Sequence, residues 1–74
     1  MNGWENHETW NVALWIANDE GIYKLAKQQD GYGQFVSAMS DFQPEPIGYQ
    51  TPDGVAWNDS GLDLQALDEL ISEL

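Results

Sequence analysis

Seventy-four residues carry thirteen carboxylates against two lysines and no arginine, for a formal net charge of −11, with no cysteine, one histidine, 42% hydrophobic residues and four tryptophans. That composition excludes disulfide frameworks and the usual zinc sets, and it leaves too few cations to displace counterions along a nucleic acid, so no direct nucleic-acid partner is expected. It also holds too much bulky apolar material for a disordered acidic tail, so one folded domain over residues 1–74 is expected, near the lower size limit for an unstapled core.

The opening Met1-Asn2-Gly3-Trp4-Glu5 lacks the basic end and apolar run of a secretion signal. No stretch approaches the ~18–20 apolar residues of a membrane span, and the negative charge opposes anionic lipid surfaces, so no membrane association is expected. The lack of thiols fits a reducing cytoplasm.

From Glu8 to Asp19, Trp10, Ala13, Leu14 and Ala17 recur at helical spacing, and Val12, Trp15 and Ile16 widen the stripe to most of the circumference. This reads as a central, deeply packed helix, capped by Asn6, with Glu5 and Glu8 near the positive end of its dipole. His7, Asn11 and Asn18 fall on a narrow polar stripe. An asparagine between tryptophans costs helix propensity, so Asn11 is expected to be a structural clasp bonded to a loop or another helix.

After a break at Asn18-Asp19, Ile22, Leu25 and Ala26 predict a short second helix to about Gln29, with Lys24 and Lys27 on its other face. Asp30-Gly31-Tyr32-Gly33 is expected to turn the chain. A third helix follows, with Phe35, Ala38, Met39 and Phe42 facing the core and Ser37, Ser40 and Asp41 outside.

Residues 43–61 hold all three prolines and no helical period. Thr51-Pro52-Asp53-Gly54 has turn chemistry, and Ile47/Tyr49 and Val55/Trp57 alternate on either side of it, which predicts a small two-stranded hairpin within residues 47–58. So short a hairpin needs support, so Tyr49 and Trp57 are expected to pack on the helices. The last helix starts at an Asp63 cap stapled by Leu62 and Leu67, and its predicted buried stripe is Leu64, Leu67, Leu70, Ile71 and Leu74. The fold class expected is therefore mainly α, a compact bundle of about four short helices.

No nucleophile lies beside a base: Thr9, two residues from His7, does not face it on a helix. Asp59, Gly61 and Asp63 mimic odd-position calcium spacing, but Leu64 and Leu70 stand where an EF-hand loop needs glycine and glutamate. No catalytic residue, cofactor or metal site is expected, and the protein reads as a non-enzyme.

Charge is lopsided. Residues 1–29 have a net charge of −2, whereas residues 30–74 hold nine acids and no base. Such a field speeds encounter with basic protein surfaces. Asp59, Asp63, Asp68, Glu69 and Glu73 are the candidate partner-binding residues, with Trp4 or Tyr49 as an aromatic anchor. Mimicry of DNA by carboxylates is a sharper form of this reading. The rival is a small self-associating structural subunit, with a monomer expected ahead of it.

Glu8-Thr9-Trp10-Asn11-Val12-Ala13-Leu14-Trp15-Ile16 followed by Asn18-Asp19-Glu20 resembles the opening of a family of small proteins of bacteriophages, cyanophages especially, and of some bacterial genomes. Thr51-Pro52-Asp53-Gly54-Val55, Trp57 and the leucine-rich acidic end are similar too, and the likeness is weakest over residues 30–50. The resemblance implies an accessory role in the cytoplasm of an infected bacterium, and it brings no catalytic residues with it. The positions that match it are chiefly Trp10, Asn11, Leu14, Trp15 and Asn18, all expected in or beside the core.

Overall fold

The structure is a computed structural model and describes residues 6–74. Four helices pack around one cluster of buried side chains: α1 (His7–Asn18), α2 (Glu20–Lys27), α3 (Tyr32–Phe42) and α4 (Leu64–Ser72). The mainly helical class expected from periodicity is the class observed. Val12, Ile16, Phe35, Met39, Trp57 and Leu67 are its most deeply buried large apolar side chains.

Short helices depend on their ends, because each leaves unpaired backbone groups there. Asn6 caps α1, its side-chain oxygen accepting from the Thr9 amide at 2.8 Å. Asp19 ends α1 and also caps α2, accepting from the Ile22 amide at 3.0 Å, so one residue sets the break between them. Asp63 caps α4 by accepting from the Ala66 amide at 3.1 Å, and Leu62 and Leu67 on either side are both buried. The starts of α1 and α4 are tied together, since Asn6 Nδ2 donates to the Gly61 carbonyl at 2.7 Å and the Asp63 amide donates to Thr9 Oγ1 at 3.0 Å.

Helix α3 is the exception, since its N-cap Gly31 has no side chain to offer. The acceptor comes instead from α4: Asp68 Oδ1 takes the Tyr32 amide hydrogen at 2.7 Å. Tyr32 is therefore a helix residue and buried, not part of a turn as its glycine neighbours imply. Its hydroxyl donates to the Trp57 carbonyl, and burial pushes the phenol well above its ordinary range.

Residues 43–61, devoid of helical period, are ordered by Trp57. Its ring is buried edge-on against Phe35, with centroids 5.4 Å apart at 87°, and its indole N–H donates to the Ile47 carbonyl at 2.7 Å. The expected hairpin is reduced to a single antiparallel bridge, Gln50 with Ala56, closed around a turn in which Gly54 has φ +92°. Gly48 closes the loop against the end of α3: a Cβ there would lie 2.7 Å from the Gln43 carbonyl oxygen, so only glycine lets the two backbones approach this closely.

Several expected core faces are rotated or frayed. Trp10, Leu14 and Trp15 are half-buried rim residues, and α1 turns Val12, Ala13 and Ile16 inward. A helix apolar nearly all round gives periodicity no face to choose, and the smaller aliphatics fit the tight centre. Phe42 (73% exposed) and Leu64 (57% exposed) keep helical spacing, but each lies at a helix end beyond its neighbours' reach. Tyr49 is 55% exposed, beside a recess that Val36, Ser37 and Ser40 of α3 also line.

Candidate functional site

Two polar constellations stand out. The first joins α1 to the 51–54 turn. Asn11 is buried and fully used: its Nδ2 donates to Asp53 Oδ2 at 2.8 Å, and its Oδ1 accepts from the Thr51 hydroxyl at 2.7 Å. Trp15 Nε1 donates to the same Asp53 oxygen at 2.9 Å. The Thr51 hydroxyl oxygen in turn accepts from the Val55 amide at 3.1 Å, which locks the turn. Hydrogen bonds from Asn11 and then Trp15, with a smaller contribution from the charge on His7, hold the Asp53 carboxyl below its ordinary range. Asn11 thus clasps a loop through side chains. These bonds join α1 to the turn through side chains 38 to 42 positions apart, which suits the constellation to holding two segments together.

The second is a groove of about 380 Å³ between α3, residues 57–60 and α4. Tyr32, Val36 and Trp57 form its floor, Leu64 its apolar lip, and Asp59 and Asp68 its acidic wall. Val36, Trp57 and Asn58 also line a neighbouring recess of about 200 Å³ beside Tyr49. Both acids are held by the fold through one oxygen: Asp59 Oδ1 accepts from the Gly61 amide at 2.7 Å, and Asp68 Oδ1 accepts from the Tyr32 amide. The lysines lie on α2, Lys24 paired with Glu20 at 3.0 Å and Lys27 over the Tyr23 ring at 5.7 Å, and neither lines the groove.

The candidate partner-binding acids therefore divide. Asp59 and Asp68 come together in the groove wall, Asp63 is spent as a helix cap, and Glu69 and Glu73 are exposed on α4. Backbone amides of the chain itself occupy one oxygen on each of three of them, Asp59, Asp63 and Asp68. Tyr49 lines the adjoining recess, and Trp4 falls outside the described residues. Asn18 donates to the Leu14 carbonyl at 2.8 Å and is exposed, not packed in the core. His7 is exposed, its ring 5.5 Å from that of Trp10.

Asp53, Thr51 and Tyr32 carry roles that sequence patterns do not announce. Turn chemistry accounts for Thr51 and Asp53 locally, and nothing in a periodic pattern links Asp53 to a helix 42 positions earlier. A buried-prone asparagine without a local partner was the available signal, and it marked one half of the clasp. Among the described residues, no three His, Asp or Glu side chains converge as metal ligands do, and no helix is long and apolar enough to cross a membrane.

The fold and its groove define a small acidic four-helix protein. Over residues 1–74 the chain matches the model of a family of unknown function, DUF7249, and it belongs to that family. No curated protein and no solved structure matches it.

Proposed function

We propose that the protein is a non-catalytic binding protein whose acidic second half docks onto a basic protein surface and thereby blocks or recruits its owner. The observation that carries this reading is the groove between α3 and α4, where an apolar floor meets two carboxylates and neither lysine is among the lining residues. Apolar area supplies affinity, and unpaired charge at its edge supplies orientation and encounter rate. The resemblance of Glu8–Ile16 to small phage proteins supports a viral accessory setting. DNA mimicry draws less support, because Asp19, Asp53, Asp59, Asp63 and Asp68 each accept hydrogen bonds from the chain's own donors and so differ from a row of free phosphates.

Affinity capture from bacterial lysate at low and high salt tests the reading. Basic partners are expected to be held at low salt, released as ionic strength rises, and lost when Asp59, Asp68, Glu69 and Glu73 are together changed to their amides. A captured set indifferent to both changes removes it. A second reading, self-association, is favoured by the shallow apolar depression of about 200 Å³ that Trp10, Leu14, Ala17 and Leu70 line. Sedimentation at rising concentration separates the two: a strictly monomeric species at high micromolar concentration excludes the second.

A further inference from the structure

We infer that the groove between α3 and α4 takes a linear segment of another protein in which an aliphatic side chain is flanked by lysine or arginine. This inference rests on the binding role proposed above and names the occupant of its site.

Shape supports a segment over a small compact ligand. The groove adjoins the recess beside Tyr49, with Val36, Trp57 and Asn58 lining both, so an occupant that spans the two is elongated. Two of the three large apolar side chains left exposed among the described residues line these hollows, Leu64 the groove and Tyr49 the adjoining recess. An apolar surface flanked in this way loses water most completely when aliphatic atoms cover Val36 and Leu64.

Charge supports a cationic segment. Asp59 and Asp68 share one wall, and the nine acids of residues 30–74 have no base among them, so the local field has one sign. A lysine or arginine beside the aliphatic residue reaches that wall with its head while its methylene stem covers the lip. A nucleic acid or an anionic membrane meets the same field with the wrong sign.

The wall is also preorganised. Asp68 cannot swing away without releasing the first amide of α3, and Asp59 cannot without releasing the Gly61 amide. The two carboxylates therefore stand in place before a partner arrives, which lowers the ordering cost of association. Their Oδ2 atoms remain for the partner's donors.

The test uses the full chain and three synthetic twelve-residue peptides: one with leucine flanked by lysines in a serine background, one with the lysines replaced by glutamates, and one with the leucine replaced by serine. Binding is followed by calorimetry and by methyl resonances of Val36 and Leu64. The first peptide is expected to bind and shift both methyl signals, and each of the other two to bind at least about tenfold more weakly. D59N/D68N keeps both amide acceptors while removing two charges, and E69Q/E73Q removes two charges away from the groove. The first pair is expected to weaken binding about tenfold and the second less than about twofold.

Equal loss from the two pairs, or binding that leaves the Val36 and Leu64 signals unmoved, overturns the groove while leaving the wider acidic surface as the binding element. Failure of the lysine–leucine peptide to bind at all also overturns it, and capture of basic proteins from lysate then decides separately whether the broader reading survives. Circular dichroism of each variant confirms that the comparison is made between folded proteins.

Discussion

The clasp between α1 and the 51–54 turn and the groove between α3 and α4 both set an aspartate beside a tryptophan, yet they differ in what lies next to the carboxylate. In the clasp, Asn11 and Trp15 both donate to Asp53 Oδ2 and Thr51 donates to Asn11, so side chains of two distant segments bind each other. In the groove, Asp59 and Asp68 spend one oxygen on the backbone and keep an apolar floor open beside the other. Thus the most distinctive residues of the sequence, the Trp-Asn and Thr-Pro-Asp-Gly segments, are engaged in self-recognition. The groove is assembled from residues that look ordinary in the sequence.

Trp57 belongs to both regions, since it forms the groove floor and pins the loop that carries the clasp, so removing it affects both at once. Trp57→Ala is expected to cost about 3–5 kcal/mol, most or all of the stability of a chain this size, read as loss of the cooperative urea transition. Asn11→Ala breaks the clasp alone. It leaves the Thr51 hydroxyl without its acceptor in a buried place, and a loss of about 1–3 kcal/mol is expected in the same measurement. If Asn11→Ala instead proved neutral, the clasp would be ornament and the contrast between the two regions would fail.

Protonation sharpens the contrast at Asp53. Its carboxyl is held below its ordinary 3.8 in the folded state by the bonds from Asn11 and Trp15, so the stability it contributes is fully present above that ordinary value. That contribution is lost as pH falls through the lowered value. Asp53→Asn removes the charge while keeping an acceptor, and wild type is expected to exceed it in stability near neutral pH, the gap closing in acid. A gap independent of pH would mean that the charge on Asp53 contributes nothing. The smallest effect is expected at the lip of the groove, where Leu64→Ser should change stability by no more than about 0.5 kcal/mol while weakening binding of the lysine–leucine peptide.

The four helices, their caps at Asn6 and Asp63, and the break at Asn18-Asp19 are legible along the chain because each depends on residues three or four apart, and the Asp19 cap of α2 is of the same local kind. The lopsided charge is equally legible. Which way α1 faces is not, since its apolar residues nearly encircle it and only packing selects Val12 and Ile16 over Trp10 and Leu14. Nor does a pattern of local spacing reveal that Asp68 caps α3 from 36 residues away, that Asn11 meets Asp53 across 42, or that Asp59 and Asp68 share a wall. Short-range geometry is carried by the backbone and can be read one turn at a time. The clasp and the groove exist only where distant segments are brought together by burial of Trp57, Phe35 and Leu67, and that convergence belongs to the tertiary structure.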